Sequence, residues 1–255
     1  MAGIRIEKRD TIAVLRLDKA RGNAIDEPLT EELTRACREL GEDGKVRGVL
    51  LASAHPKLFC PGLDLVTLFD YDRPAMERFV GKFLEATLAL FTLPKPMVAA
   101  IGGHAVAGGC VFALTADHRM LRRGSQIGLN EVRVGLPLPW SVAILLKSAV
   151  PPGSLSRVAL LGENFADEQA LAIGLVHEVV EADGFEAACL GRLAEFADKE
   201  ARAAATTKAY LRDEAVREMK SQEARRTAEF LDAWFAPAGR GKIRETVEAL
   251  TKPKA

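Results

Sequence analysis

Two glycine-bearing turns are the parts of the sequence whose residue types and spacing best suit chemistry. The first reads FCPGLDL at 59–65, and the second reads GGHAVAGGC at 102–110. Each follows an apolar run that predicts a buried strand, and each precedes a predicted helix. A helix start leaves backbone N–H groups unpaired and carries a partial positive charge, so either turn can hold an oxyanion. Taken alone, each is also explained as a purely structural tight turn.

Neither turn has the pattern of a nucleotide-binding loop. A dinucleotide fold needs G-x-G-x-x-G after its first strand with an acidic residue further on, and a P-loop needs Gly-Lys-Ser/Thr at its end. Both patterns are absent from the two turns. Glycine still allows a ligand to approach the backbone closely at either turn.

The elements that must position these turns alternate along the chain. Apolar and β-branched runs predict strands at 4–9, 11–17, 46–51, 96–101, 118–121 and 175–180. Asp26 is a good N-cap for a helix with Pro28 in its first turn. Further helices are predicted at 74–93, 108–115, 141–149, 153–161, 167–172, 185–198, 201–231 and 240–250. This order predicts an α/β fold of repeated ββα units, followed by a helical region and a disordered tail after Thr251.

Composition narrows the class of protein. The chain has 255 residues, of which 48% are apolar, and its 35 basic side chains balance 35 acidic ones. A net charge of zero argues against a nucleic-acid partner. No apolar run is long enough to span a membrane, and the N-terminus lacks the apolar region of a signal peptide, so a soluble cytoplasmic protein is expected. The four cysteines lie far apart, which predicts buried free thiols rather than a zinc site.

Together, the two turns resemble the paired signature of the crotonase family, the enoyl-CoA hydratases and isomerases. The resemblance rests on FCPGLDL and KPMVAAIGGHAVAGGCVFALTADHRM, and on LDKARGNAID, IGLNEVRVGLPL and ALLGENFADEQALAIGLVHEVV. It covers nearly the whole chain in the right order. It implies a crotonase-like spiral of ββα units over 1–195, and a C-terminal helical region over 196–255 that forms a trimer or covers the active site.

The resemblance also implies roles for individual residues. The backbone N–H groups of Leu63 and Gly108 correspond to the two donors of an oxyanion hole. The loop formed by Asn23, Ala24 and Ile25 corresponds to the one beside the adenine and pantetheine of CoA. The remaining residues expected to contact the substrate are Lys57, Cys60, Gly62, Asp64, Leu65, Gly109 and Trp140.

Several of these assignments have ordinary structural alternatives. Lys57 is placed where a cation can meet CoA, but a solvated surface lysine has the same appearance. Asp64 precedes a helix, where capping explains it. Cys60 has no histidine partner in its motif, so a nucleophilic thiol is not favoured. Trp140 is expected to line the acyl pocket, the alternative being packing within an interface.

The carboxylates decide the expected reaction. Family hydratases carry two glutamates; here the first position is Val111 and the second is Glu131. A single acid suits Δ3–Δ2 enoyl-CoA isomerisation, in which one group removes a proton at C2 and returns it at C4. The structural alternative for Glu131 is an ion pair with Arg133 or Arg119.

The preferred expectation is therefore an enoyl-CoA isomerase that acts on an acyl-CoA thioester as a homotrimer or hexamer. No metal or redox cofactor is expected, because CoA arrives with the substrate. The alternatives are a hydratase with a relocated acid, another reaction through an enolate such as hydrolysis or decarboxylation, and a non-catalytic acyl-CoA-binding subunit. The sequence does not predict acyl chain length or pathway.

Overall fold

The computed structural model describes residues 3–252, and the larger of its two sheets forms the centre of the fold. This sheet has the order β1-β2-β3-β5-β7-β10, and only β1 and β2 pair antiparallel. Its strands are β1 (Ile4–Arg9), β2 (Ile12–Leu17), β3 (Gly48–Ser53), β5 (Met97–Ile101), β7 (His118–Arg122) and β10 (Glu178–Val180). The parallel strands are covered on both faces, which explains their continuous apolar runs.

A second, smaller sheet carries the two glycine-bearing turns. It has the order β4-β6-β8-β9, formed by β4 (Leu58–Cys60), β6 (His104–Val106), β8 (Gln126–Gly128) and β9 (Phe165–Ala166). These strands were not predicted, because two or three residues are too few to show a hydrophobic period. β4 and β6 pair in parallel, with Leu58 opposite His104 and Cys60 opposite Ala105. This pairing brings the two turns together.

Twelve helical segments complete the fold within the described residues. They are α1 (Ala20–Asn23), α2 (Glu27–Glu42), α3 (Leu65–Leu68), α4 (Arg73–Phe91), α5 (Gly108–Leu114), α6 (Trp140–Ala149), α7 (Leu155–Leu160), α8 (Asp167–Ala172), α9 (Phe185–Ala197), α10 (Ala201–Ser221), α11 (Glu223–Phe235) and α12 (Pro237–Thr251). Short 3₁₀ turns lie at Glu131–Val134 and Pro152–Ser154. The Asp26 side chain accepts the Leu29 N–H at 3.1 Å and caps α2, as predicted.

The C-terminal helices differ most from the prediction. The single helix predicted over 201–231 is divided at Gln222, whose φ of −130° and ψ of 11° are not helical. The division lets α10 pack along α6 while α11 contacts both α4 and α6. The division of the chain at residue 195 stays a prediction, and of the tail predicted after Thr251, residues 253–255 lie outside the described range.

Membrane spanning was not expected from the sequence. Within residues 3–252, no helix combines the length and the apolar character needed to cross a bilayer.

Candidate active site

The two glycine-bearing turns lie against each other at the edge of the small sheet. Gly62 has a φ of +98°, and a β-carbon built on it would lie 2.9 Å from the β-carbon of Ala107 and 3.2 Å from the nitrogen of Gly108. A β-carbon on Gly109 would overlap the carbonyl oxygen of Cys60. Glycine is therefore required at both positions for the two backbone segments to approach this closely.

Two backbone N–H groups beside the contact between the turns, those of Leu63 and Gly108, are free to bind a ligand. Within residues 3–252, neither the N–H of Leu63 nor that of Gly108 has an intramolecular acceptor. Gly108 is the first residue of α5, where an N–H has no partner inside the helix. Both residues line one cavity of about 600 Å³. The arrangement can offer two N–H groups to a single anionic oxygen.

Ala107, the residue before the second donor, holds a strained conformation. Its φ of +49° and ψ of −121° are unusual for a residue with a side chain, and such a conformation costs about 1–3 kcal/mol. Its N–H donates to the Gly128 carbonyl at 2.8 Å, and its carbonyl accepts the Val111 N–H at 3.0 Å. The turn is therefore held from both sides, which fixes where the Gly108 N–H lies.

The loop at residues 23–25 supports the first turn. The Ile25 N–H donates to the Gly62 carbonyl at 2.8 Å, and the Ile25 carbonyl accepts the Asp64 N–H at 2.8 Å. These two bonds form a parallel bridge across Leu63 and hold the peptide that carries the first donor. Ala24 lines the cavity, and Ile25 is fully buried behind it.

Asn23 is fully buried and acts within the protein rather than on the cavity wall. Its Oδ1 accepts the Lys19 N–H at 2.8 Å, and its Nδ2 donates to Ser53 Oγ at 2.8 Å and to the Phe59 carbonyl at 2.9 Å. Its φ of +72° is a left-handed conformation that asparagine tolerates well. Asn23 therefore ties the 23–25 loop to the strand that enters the first turn.

Glu131 is the acidic group on the cavity wall that has no partner. It opens the 3₁₀ turn after β8, and its buried Oε2 has no hydrogen-bond partner among the described residues. Burial raises the pKa of this carboxyl to about 7. A carboxyl with such a pKa can both accept and return a proton near neutral pH.

The ion pair that was the alternative for Glu131 is not present. The side chain of Arg119 donates to the carbonyls of Leu175 at 2.7 Å and Ala149 at 2.9 Å, within the core. Arg133 is exposed, and no ion pair joins it to Glu131 in the described part of the chain. The carboxyl is therefore desolvated without a neutralising cation, which is the cause of its raised pKa.

Val111 occupies the position at which the resemblance places the first hydratase glutamate. It is 1% exposed and lines the cavity. The polar and charged side chains that line the cavity are those of Arg21, Asp64, Asn130, Glu131, Thr246 and Thr251. Glu131 and Asp64 are the two acids among them, and the Asp64 side chain caps α3 through Thr67. Glu131 is thus the one lining acid that is free for proton transfer.

The predicted site residues divide into two groups. Those on the cavity wall are Ala24, Leu63, Asp64, Leu65, Gly108 and Glu131. Those behind the wall, within the loop and turns, are Asn23, Ile25, Cys60, Gly62 and Gly109. Asp64 caps α3, as the structural alternative predicted, and its Oδ2 also lies 3.6 Å from the guanidinium of Arg21, which lines the cavity. The contact of Asp64 with the substrate stays a prediction.

Trp140 requires a correction, since it does not line this cavity. Its indole N–H donates to the Glu218 carbonyl of α10 at 3.1 Å, and the Arg226 guanidinium lies 4.8 Å from its ring centroid. Trp140 therefore packs against the C-terminal helices. Its neighbour Pro139, and Val142 two residues further along α6, line the cavity instead. Lys57 is exposed and outside the cavity lining, so its contact with CoA stays a prediction.

The cysteines behave as buried thiols. Burial raises the pKa of Cys60 to about 12, and burial raises that of Cys110 well above its ordinary value. The Cys60 thiol donates to the Asn23 carbonyl at 3.2 Å. Neither thiol is in the ionised form that a nucleophile needs.

Most of the apolar cavity wall was not assigned from the sequence. It comes from α4 with Phe79, Val80 and Phe83, from Leu136 and Val142, and from Phe230 and Leu250 of the C-terminal helices. Periodicity identifies the buried face of each helix but not which part of that face borders a cavity. The residues that border the cavity can be told from the rest of the buried face only when the packing of α4, α5, α6 and α11 is known.

Comparison with known proteins identifies the class to which this fold and site belong. The family model described as Enoyl-CoA hydratase/isomerase matches residues 7–244. The chain therefore belongs to the enoyl-CoA hydratase/isomerase family, or crotonase family, and is an enzyme of that family with its α/β fold and C-terminal helices.

Particular relatives are moderately similar. The chain is 31% identical to enoyl-CoA delta isomerase 1, mitochondrial, of Rattus norvegicus over 174 residues, which are 68% of this chain and 60% of that protein. It is 29% identical to carnitinyl-CoA dehydratase of Escherichia coli (strain K12), over 69% of this chain and 67% of that protein. The crystal structure of human mitochondrial delta3-delta2-enoyl-CoA isomerase superposes with a TM-score of 0.95 at 26% identity, covering 99% of this chain and 100% of that chain.

Proposed function

We propose that the protein is a Δ3–Δ2 enoyl-CoA isomerase. The observation that carries the proposal is one unpaired carboxyl, Glu131, in the same cavity as the free N–H groups of Leu63 and Gly108. Val111 stands where a second acid would be needed to position water. The names of the rat relative and the human structure, both enoyl-CoA isomerases, support the same reaction.

The reaction uses these groups in two proton transfers. The Glu131 carboxylate removes a proton from C2 of a 3-enoyl thioester, and the electrons of the C–H bond move towards the thioester oxygen. The dienolate oxygen is stabilised by the N–H groups of Leu63 and Gly108, where each preset donor is worth about 3–4 kcal/mol. The protonated Glu131 then returns the proton to C4. The C3=C4 double bond is lost and the C2=C3 double bond forms, with no net change in composition.

The remaining features are part of the proposal. CoA enters as part of the substrate, and no metal is required, because the enolate oxygen is held by backbone donors. Asn23, Ile25, Cys60, Gly62 and Gly109 shape the loop and turns, while Ala24, Asp64 and Leu65 contact the acyl-CoA substrate. We further propose a homotrimer or hexamer in the cytoplasm, which sedimentation velocity and fractionation of the native host would test.

One experiment separates the proposed reaction from its rivals. The purified protein is incubated with a 3-enoyl-CoA or with a 2-enoyl-CoA, while conjugation is followed by ultraviolet absorbance and hydration by chromatography of 3-hydroxyacyl-CoA. Conversion of 3-enoyl to 2-enoyl thioester without 3-hydroxyacyl product is expected. Rapid hydration of the 2-enoyl thioester would establish a hydratase instead, and acyl-CoA binding without turnover of either would establish a binding subunit.

A further inference from the structure

The cavity wall combines a few polar groups with a larger apolar surface. The side chains that α4, α6 and α11 contribute to its wall are Phe79, Val80, Phe83, Val142 and Phe230. All five are at most 4% exposed and none carries a polar atom. The unpartnered acid, Glu131, and the two backbone donors lie on the wall built by the turns and the segment after β8. The part of the substrate beyond the thioester therefore faces hydrocarbon and aromatic surface.

Three of the other polar side chains on the wall make hydrogen bonds within the protein. The Thr246 hydroxyl donates to the Lys242 carbonyl at 3.0 Å, and the Thr251 hydroxyl donates to the Val247 carbonyl at 2.9 Å. Asp64 is held by Thr67 at 3.0 Å. The side chains of Phe79, Phe83 and Phe230 offer no hydrogen-bond partner, so a hydroxyl or charged group placed against them would lose its water without compensation, which is unfavourable.

Phe230 is the aromatic wall residue that the C-terminal helices supply. Its helix, α11, contacts both α4 and α6, so Phe230 closes the wall where these helices meet. The ring centroid of Trp234 lies 6.3 Å from that of Phe230. Trp234 is fully buried and does not line the cavity. Removal of the Phe230 ring would therefore extend the cavity as far as the Trp234 indole.

Phe79 and Phe83 are less able to change the cavity in this way. Both belong to α4, which also packs against α2 and α5 in the main core. The Phe83 ring lies 5.7 Å from that of Phe112 within that core. Phe230 belongs to the same buried cluster, but it lies on α11 in the C-terminal region, so its truncation leaves the contacts of α4 with α2 and α5 in place.

We infer that Phe230 is a specificity-determining residue, which limits the length of the acyl chain that the cavity accepts, and that this chain is an unsubstituted hydrocarbon. The inference rests on the proposed function only in that the ligand is an acyl-CoA thioester. One methylene group in a hydrophobic pocket changes discrimination by about 10–200-fold, so a lost phenyl ring has a measurable effect on the preferred length.

The test measures binding of saturated acyl-CoA thioesters, from butanoyl to hexadecanoyl, by calorimetry. Saturated thioesters have no double bond to move, so this readout is independent of isomerase turnover. In Phe230→Ala and Phe230→Leu, the ratio of affinities for long over short chains is expected to rise at least about tenfold over the wild-type ratio. The control is Phe185→Leu, since Phe185 is 8% exposed in a separate core cluster around Val14 and Leu50.

The outcomes are distinct. A length profile unchanged in both Phe230 variants, or shifted equally by Phe185→Leu, would overturn the role of Phe230. Binding of 4-(trimethylammonio)butanoyl-CoA more tightly than its neutral tert-butyl isostere would overturn the hydrocarbon assignment, because the three phenylalanines would then act as a cation site. A shifted binding profile in an enzyme that does not isomerise 3-enoyl-CoA would support the inference and contradict only the proposed reaction.

Discussion

The nitrogen of Gly108 lies so close to Gly62 that a β-carbon at residue 62 would come within 3.2 Å of it. Two segments that are far apart in the chain are thus packed against each other at the two N–H groups that we propose as the oxyanion donors. Both proposed donors depend on this contact, because Leu63 follows the first glycine directly and Gly108 is the second.

Substitution Gly62→Ala should remove the donor geometry. The φ of +98° disfavours any side chain, and the new β-carbon would press on Ala107 and Gly108. Loss of one donor of an oxyanion hole lowers kcat by about 10²–10³-fold, and a loss of this size in steady-state isomerisation is expected. The control is Gly191→Ala on α9, where the added β-carbon meets no atom within 4 Å. Full activity in Gly62→Ala would contradict the proposed hole.

Replacement Glu131→Gln should lower turnover by about 10²–10⁴-fold and leave acyl-CoA binding largely intact. The amide cannot take the proton from C2, but it keeps the size of the side chain. Stopped-flow assays give the rate, and calorimetry with a saturated acyl-CoA gives the affinity. Isomerisation by the variant at the wild-type rate would exclude Glu131 as the base.

The activity of the wild-type enzyme should depend on pH through the same carboxyl. Glu131 must be ionised to act as a base, and burial raises its pKa to about 7. We therefore expect kcat/KM to fall about tenfold for each pH unit below that value, and to level off above it. A profile that stays flat down to pH values near the ordinary glutamate pKa would show that another group takes the proton.

Stability should change with pH in the opposite direction. The folded pKa of Glu131 is raised, so between the ordinary value of 4.5 and about 7 the folded protein binds more protons than the unfolded chain. Its contribution is present at low pH and is lost as the pH rises through that window. Glu131→Gln should thus gain stability over wild type, by up to about 3 kcal/mol at pH 8 and by little below pH 5. Urea unfolding of both proteins across this range tests the sign.

Asp117 should be essential for the stability of the C-terminal helices. It accepts the Met97 N–H and the Lys208 ammonium at 2.7 Å each, and the Arg212 guanidinium at 2.5 Å, while burial lowers the pKa of Lys208 to about 8. Asp117→Ala would leave the buried Lys208 ammonium and the partly buried Arg212 guanidinium without their carboxylate, and a loss of about 3–5 kcal/mol is expected in urea unfolding.

The matched control for Asp117 is Asp213→Ala, also on the α10 side of the fold. Asp213 is exposed and pairs with Arg217 one turn along the helix. An exposed pair of this kind contributes about 0.3–0.5 kcal/mol. Equal losses from the two substitutions would contradict the structural role of Asp117.

The sequence predicts the elements whose signals are local. The Asp26 cap and the buried strand at Met97–Ile101 follow from residue types alone. The break at Gln222 does not, because the residues on both sides favour a helix and only packing of α11 on α4 and α6 explains the division. The small sheet was missed because its strands are too short to show a period.

Within the site, the resemblance predicted Leu63 and Gly108 as donors and Glu131 as the base, but it did not predict the pKa of Glu131 or the absence of acceptors for the two N–H groups within residues 3–252. The raised pKa of Glu131 arises from burial by distant segments, which no local pattern contains. Trp140 was expected on the pocket wall but packs against α10, because an aromatic residue near the motif suits either a pocket or helix packing. The position of Phe230 on the cavity wall could not be predicted from the neighbouring sequence, because it depends on the packing of α11 against α4 and α6.

The proposed oxyanion donors at Leu63 and Gly108 are backbone N–H groups. Most amino-acid substitutions at position 63 would therefore keep the donor in place. Natural variation can therefore alter the carboxylates and the pocket wall without rebuilding the part that activates the thioester. Val111 and Glu131 share one cavity with those amides. An enzyme with these two turns can thus change its reaction through single side-chain substitutions on the cavity wall. The backbone of the turns, in which glycine is required at positions 62 and 109, stays the same.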